Sequence, residues 1–422
     1  MKVLVIGSGG REHALVWKLS QSKRVKKIFC APGNAGTAEL AENVPIDAED
    51  IDALLNFAVK NKIDLTVVGP EGPLVNGVVD AFEKKGLRIF GPSQKAALIE
   101  GSKAFSKEVM VAAGVKTAAY KVIVGIDEAQ MSLGDFEKAA VKADGLASGK
   151  GVFICNSKSE IMGAVNKLLQ EKIFGDAGSR IVVEELLEGE EASILAFCDG
   201  KNVKLMVSSQ DHKRIFDNDK GANTGGMGAY SPAPVVEGLE KRIEKEVMLP
   251  VMKELAKRGA PYKGVLYAGL MIKGKDFKVL EFNARFGDPE TQVVIPRLEN
   301  DLVDVLEACI DGKLDKIDLK WREGSACCVV LASKGYPDKY EKGKIIEGLD
   351  NVKAFKDVFV FHAGTALKDG KILTSGGRVL GVTGLGKSIK EAIANAYTGV
   401  SQIDFEGMQF RADIGKKAIN RK

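Results

Sequence analysis

Along the first hundred residues, short β-rich apolar runs alternate with stretches of helical period. Residues 3–6, 27–30, 65–68 and 88–90 read as buried strands, each closed by Gly or Pro, and 13–20, 51–61 and 75–85 read as the helices between them. This alternation predicts an open, mostly parallel α/β sheet with a ligand crevice at the carboxyl ends of its strands. The glycine-rich turns 7–11, 32–36 and 69–73 fall at those ends. From 102 to about 118 a helix carrying Lys103 and Lys107 leads into a second region. There strands at 138–142 and 151–154 flank a glycine loop, a third strand spans 180–185, and a helix runs near 239–258. Paired strands follow at 264–272 and 277–283, with Leu280 and Phe282 expected to face the core. Beyond about 324, strands at 326–332, 353–364 and 376–382 and a helix over 388–403 predict a small α+β domain. The boundaries read as 1–101, 102–323 (with a lid subdomain over about 120–187) and 324–422.

Composition changes this picture little. At 422 residues the chain exceeds one ordinary core, and 45% apolar with 28% charged residues is a normal globular balance. The net charge of +4 is spread out, with no basic block or aromatic-basic interleaving, so neither nucleic acid nor a membrane is an expected partner. Six cysteines without a C-x-x-C pair fit buried reduced thiols better than zinc or disulfides. Met1-Lys2 runs directly into a strand too short for a signal segment, and no apolar run approaches the ~20 residues of a membrane span, so a cytoplasmic setting is expected.

The turn Gly7-Ser8-Gly9-Gly10-Arg11-Glu12 is not a dinucleotide fingerprint. Glu12 stands where a small residue is needed, and no acidic ribose partner follows the second strand. A glycine turn opening a helix can still hold a phosphate on backbone N–H groups. The run Gly145-Leu-Ala-Ser148-Gly149-Lys150-Gly151 is not a P-loop either. It has three residues between its glycines, no hydroxyl after the lysine, and a strand rather than a helix after it. It reads as a glycine lid at a hairpin tip that closes over phosphates, with Lys150 or Lys142 neutralising charge. An ordinary hairpin tip would explain the glycines but not both lysines. In Val279-Leu-Glu281-Phe-Asn283-Ala-Arg285, alternation along a strand aims Glu281, Asn283 and Arg285 at one face. A carboxylate beside an amide oxygen suits a hard cation carried in with a nucleotide, and the arginine suits a phosphoryl group in flight. The turn 287–292 adds acceptors for substrate contacts.

A glycine lid followed about 140 residues later by a Glu-x-Asn strand resembles the ATP-grasp fold. The runs 9–14, 100–105, 141–147, 210–214, 223–232, 281–292 and 375–383 are similar to signature stretches of the phosphoribosylamine–glycine ligase family, over essentially the whole chain. That resemblance implies ATP-dependent joining of glycine to 5-phosphoribosylamine through a glycyl phosphate, with Mg2+ or Mn2+ held by Glu281 and Asn283. Bicarbonate- or formate-using members of the superfamily are the alternative. The resemblance further implies that Glu184, Glu185 and Leu187 line the adenine and Glu191 takes the ribose hydroxyls. Lys107 and Lys142 flank the phosphates beneath Gly145, Ser148, Gly149, Lys150 and Gly151, Lys213 contacts an anion, and Arg285 and Lys142 are catalytic. The sugar-phosphate half falls to Gly9, Gly10, Arg11 and Asn34 in the N-terminal crevice, to Gly225, Gly226, Met227 and Gly228, and to Arg285 and Asp288. A monomer, or at most a weak dimer, is expected.

Two departures stand out. Asn218 and Ala222 occupy positions where the family pattern has glycine and proline; Asn tolerates positive φ, so the turn is expected to survive. The zone 267–270 lacks the additional carboxylate that some ATP-grasp enzymes place there. His13 beside the first glycine turn is open to two readings, a phosphate contact or helix-start packing.

Overall fold

The structure is a computed structural model that describes residues 1–147 and 151–419. Its first layer is a five-stranded, wholly parallel sheet. In spatial order the strands are Glu42–Asn43, Lys27–Pro32, Lys2–Gly7, Leu65–Val68 and Ile89–Phe90. Both faces are covered, so the central strands read as continuous apolar runs: Val3 to Ile6 and Leu65 to Val67 lie buried. The helical stretch expected over 75–85 is two helices, Glu71–Val75 and Val78–Lys84. They are separated at Gly77, whose φ of 89° is left-handed backbone that favours glycine.

Ser102 caps the helix Lys103–Ala112 by accepting the Phe105 N–H, and this helix ends several residues earlier than its apolar pattern suggests. The chain then crosses extended to Thr117, which bridges Val279. An antiparallel lid sheet follows, in the order Tyr120–Ile123, Ile181–Glu185, Ala139–Ala143, Val152–Cys155, with its own core of Ile123, Val141, Ile161, Leu168 and Val183. The body is a second antiparallel sheet: Val203–Leu205, Glu190–Asp199, Lys263–Lys273 and Asp276–Asn283.

The last sheet is built across the chain. Ser325–Ser333, Arg378–Gly386 and Val358–His362 pair antiparallel, and Gln210–Asp211 and Gly228–Ser231 extend the sheet from the middle of the sequence. The helix Ile389–Val400, capped by Ser388, buries Ala392, Ala396 and Val400 in the core this sheet shares with Val329 and Leu331.

Candidate active site

These sheets enclose a cleft of about 430 Å3. It is lined by Arg11, Lys107, Lys142, Gly151, Glu184, Glu185, Leu187, Glu191, Lys213, Gly225, Glu281, Asn283, Arg285 and Asp288, residues the sequence points to from six separate stretches.

On one wall the buried Glu184 carboxylate is clamped between two lysines, Lys107 Nζ at 3.0 Å from Oε2 and Lys142 Nζ at 3.0 Å from Oε1. Glu184 and Glu185 alternate along their strand, so Glu184 faces inward while Glu185 takes Lys278 Nζ at 2.5 Å and the Ala119 N–H. Glu184, expected beside the adenine, lines the cleft with one lysine on each of its oxygens. Lys107 also donates to Thr117 Oγ1 (2.6 Å), which donates to the Val279 carbonyl (2.7 Å), fastening the clamp to the facing strand. Burial lowers the Lys107 pKa to about 8 even with Glu184 raising it. At Lys142 burial acts the same way, but Glu184 and Glu281 outweigh it and the pKa rises.

The opposite wall is the strand Asp276–Asn283. Its pairing slips between Gly269 and Leu270, so Gly269 lies opposite Glu281 while Leu270 lies opposite Val279, leaving Leu280 as the extra residue of a β-bulge. Leu280 therefore lines the cleft instead of facing the core as alternation suggests, while Phe282 is buried as expected. Burial favours the neutral acid at Glu281, but Lys142, Lys213, Lys103 and Arg285 together hold its pKa below the ordinary carboxylate value. Arg285 is fixed by Glu71 (Nε to Oε2, 3.1 Å) and Glu100 (Nη2 to Oε1, 2.9 Å), and Nη2 is 3.5 Å from Asn283 Oδ1. Burial pushes Glu100 up to about 7, whereas Arg285 and Arg11 overcome burial at Glu71 and bring it down to about 2.

The residues present fit a hard divalent cation. An anionic carboxylate and an amide oxygen lie on one side of a strand, and the facing residue is Gly269, whose absent Cβ would sit 3.5 Å from Glu281 Cγ. Among the described residues no group of three His, Cys, Asp or Glu is placed to hold a metal, so phosphate and water must complete the shell.

The first glycine turn differs from its reading. Glu12 folds back to accept the Gly9 N–H, fills the space beside Gly7 and Gly69, and pairs with Arg11 Nε at 2.5 Å. Asp288 accepts the Arg11 backbone N–H. The helix N-terminus thus carries the protein's own carboxylates where a phosphate was expected. Gly9 and Gly10 lie outside the cleft lining, and a Cβ on Gly10 would meet Gln292 Nε2 at 2.6 Å. Asn34 is likewise used internally. It donates to the Ser8 and His362 carbonyls at 2.8 Å each and accepts the Gly36 and Thr37 N–H groups. His13 packs beside it, its Nδ1 accepting the His362 N–H at 2.8 Å, so helix-start packing is the reading the structure carries. Met227 is fully buried, Gly228 lies in the sheet against the Cys328 carbonyl, and Gly226 abuts Pro289. Gly145 packs on Ala177 rather than lining the cleft. Ser148, Gly149 and Lys150 lie outside the described residues. Asn218 does adopt left-handed backbone (φ 58°), tied down by Asp413 accepting its N–H at 2.8 Å.

Several cleft residues carry no role in the sequence reading. Lys103 is one; it shares a helical face with Ser106, Lys107 and Met110, and that i, i+3, i+4, i+7 spacing could have revealed it. Asp211 is another, whereas Glu290 lies in the turn 287–292 that the sequence marks for substrate contacts. Arg378 reaches in from the last domain, its Nη1 donating to the Gly225 and Asp288 carbonyls at 2.7 and 2.9 Å. No local spacing announces it.

Comparison with known proteins agrees with this architecture. Family models described as the N domain, the ATP-grasp (A) domain and the C domain of phosphoribosylglycinamide synthetase match residues 1–100, 101–291 and 326–417. The chain is 52% identical over 416 residues to a phosphoribosylamine–glycine ligase from Caldanaerobacter subterraneus subsp. tengcongensis, covering 98% of this chain and 99% of that protein. A Vibrio parahaemolyticus protein of the same name is 52% identical over 427 residues, covering 100% and 99%. A crystal structure of the Thermotoga maritima phosphoribosylamine–glycine ligase superposes with a TM-score of 0.85 at 34% identity, over 98% of this chain and 100% of that one. The biotin carboxylase domain of a Hydrogenobacter thermophilus 2-oxoglutarate carboxylase, solved with MgADP and bicarbonate, shares the fold at 18% identity and a TM-score of 0.72, over 97% and 91%.

Proposed function

The chain belongs to the phosphoribosylglycinamide synthetase family, ATP-using ligases that join glycine to 5-phosphoribosylamine in purine biosynthesis, and on that premise we propose how its cleft is used. The observation that carries the assignment is the Lys107–Glu184–Lys142 clamp facing Glu281, Asn283 and Arg285 across one cavity. ATP lies between these walls, its phosphates against Lys107, Lys142 and Lys103. Leu187 and Leu280 supply apolar surface for the base, and Glu191 faces the ribose.

Glu281 and Asn283 would hold a magnesium or manganese ion, which when bound neutralises the nucleotide's phosphates. A glycine carboxylate oxygen attacks the γ-phosphorus and ADP leaves. Arg285, immobilised by Glu71 and Glu100, presents a planar fork to the phosphoryl group in transit. The phosphoribosylamine nitrogen then attacks the glycyl carbonyl carbon, phosphate departs and the nitrogen gives up a proton. Most of the acceleration comes from holding three reactants together in a cleft from which water is displaced. Arg11, Gly225 and Asp288 border the end of the cleft left for the sugar phosphate. All six cysteines are buried and unpaired, which favours a reducing cytoplasmic setting, and among the described residues no helix is long and apolar enough to cross a membrane.

The assay that tests this is ADP release requiring glycine and phosphoribosylamine together. Release supported by bicarbonate or formate in place of glycine would overturn the substrate assignment.

A further inference from the structure

The rim of the cleft at Lys213, Asn223, Thr224 and Gly225 is the base of a hairpin, Arg214–Phe216 paired with Lys220–Asn223, whose turn is exposed at Asn218 and Asp219. Among the described residues the two strands pair only with each other, and Ile215 alone in them is buried. A two-stranded ribbon with so little buried surface has marginal stability by itself, so something else must hold it in one place. Its base is tied across by Thr224, whose N–H and hydroxyl both donate to the Lys213 carbonyl at 2.8 Å. Any tilt of the ribbon therefore moves Lys213 and Gly225 together.

What holds it is a stretch near the end of the chain. Arg411, 1% exposed, forks onto Asp413 (Nε to Oδ1, 2.7 Å; Nη2 to Oδ2, 2.8 Å) and reaches the hairpin with Nη1, which donates to the Arg214 carbonyl and to Asp219 Oδ1 at 3.0 Å each. Its neighbours grip the same hairpin. Asp413 Oδ2 accepts the Asn218 N–H at 2.8 Å, Asp217 accepts the Ala412 N–H at 2.9 Å, and Lys417 Nζ lies 2.6 Å from Asp219 Oδ2. Burial favours the neutral acid at Asp413 and at Asp219, yet Arg411 and the Asn218 N–H at the first, and Lys417 and Arg411 at the second, hold both below the ordinary carboxylate value. The stretch is itself fixed to the last domain. Tyr397 donates its hydroxyl to the Arg411 carbonyl at 2.7 Å and accepts the Ile414 N–H at 3.1 Å, and Ile414 is buried in that domain's core. A guanidinium with donors spent on two separate elements does what a single ammonium cannot.

We propose that Arg411 is a positioning residue for the ligase reaction: it fastens the hairpin to the last domain and so sets Lys213 and Gly225 at the end of the cleft taken by phosphoribosylamine. It touches no reactant and acts through the backbone it holds. Two other residues of the last domain meet the same rim, Arg378 at the Gly225 carbonyl and Tyr336, whose hydroxyl accepts the Gly225 N–H at 3.0 Å. Lys107, Lys142 and Glu281, which form the nucleotide walls, lie on other elements. Loosening the hairpin therefore separates use of the acceptor from binding of ATP.

This inference rests on the ligase reading, and the test separates the two. The values of kcat/KM for phosphoribosylamine and Kd for ATP are measured for the wild type, Arg411→Lys, Asp219→Asn and Val352→Ala. Val352 is buried in the core of the last domain, away from the hairpin, and controls for lost stability alone. Arg411→Lys is expected to lower kcat/KM for phosphoribosylamine roughly 10²-fold, the scale of a misplacement of about 1 Å in a bound reactant. Asp219→Asn, at a partly exposed and more screened position, should lower it several-fold. In both, Kd for ATP stays within about twofold, while Val352→Ala loses thermal stability and keeps kcat/KM within about twofold. An unchanged kcat/KM in Arg411→Lys overturns the positioning role; if that variant does not fold, an unchanged value in Asp219→Asn does so. A control that loses kcat/KM as much as Arg411→Lys, or ATP affinity that falls in parallel, overturns it as well. If wild-type enzyme releases no ADP in response to glycine and phosphoribosylamine together, the ligase reading is what fails.

Discussion

Replacing Glu184 by Gln keeps the shape of the clamp and removes its charge. The carboxylate is 2% exposed and lies 3.0 Å from each of two lysines, which its loss leaves as an uncompensated buried pair. Breaking a buried ion pair from one side costs about 3 kcal/mol or somewhat more. The electrostatic consequence is more specific. Lys107 stands at about 8 because Glu184 raises it against burial, so without that carboxylate its pKa falls below the pH of a typical assay. At pH 8 the variant presents a neutral amine where the nucleotide's phosphates need a cation. Losing one such contact is worth ~3 kcal/mol, so Kd for ATP should rise ~10²-fold. Acidification re-protonates Lys107, so the defect should shrink as pH is lowered from 8 to 6.5. Equilibrium titration of ATP against free enzyme measures this, and the ratio of variant to wild type cancels the titration of the nucleotide's own phosphate. A ratio that stays near one, or a 10²-fold loss independent of pH, would refute the reasoning.

Other outcomes follow from the same geometry. Glu281→Gln should cut turnover ~10²–10³-fold with the fold intact and partial recovery at raised magnesium or manganese; normal turnover at ordinary magnesium would remove this strand from the metal site. Arg285→Lys cannot span Glu71 and Glu100 with one ammonium, so ATP binding should change little, turnover should fall ~10²-fold, and added metal should not restore it. His13, His212 and His362 are buried with pKa values lowered by burial to about 3, 4 and 4. The unfolded chain therefore binds their protons first, and stability should hold from pH 8 to 7 and decline below about 6.5, by about 2 kcal/mol per histidine at pH 5. Urea midpoints that stay level down to pH 5 would contradict those neutral rings.

What the sequence disclosed depended on the range of the interactions involved. The parallel sheet was legible because each buried strand is a short apolar run closed by a turn, a purely local signal. The metal strand was legible from two-residue spacing, up to the bulge at Leu280, which depends on how Gly269 pairs across the sheet. Glu184 illustrates a signal present but outweighed: alternation puts it on the face opposite Glu185, whereas the family resemblance groups the two. Asn34 sits in a loop, and His13 at the start of a helix, that look built for a ligand. What they bind is backbone and ring from His362, more than three hundred residues on, which no local pattern reports. Arg378 escaped for the same reason, since it meets the cleft only after distant strands have paired.

The sheet that joins Gln210–Asp211 and Gly228–Ser231 to Ser325–Ser333 sets a timetable for synthesis. The segment between those first two strands carries Lys213 and Gly225 to the cleft; Ser209 bridges Ser193 and Gln210 reaches the Glu191 carbonyl, but the sheet pairing that fixes the Gly228 end waits for a strand translated about a hundred residues later. A ribosome-bound chain with its nucleotide walls already formed would still lack this rim. ATP could be gripped before the acceptor end of the cleft exists, and competence to ligate would arrive only with the final stretch of the polypeptide.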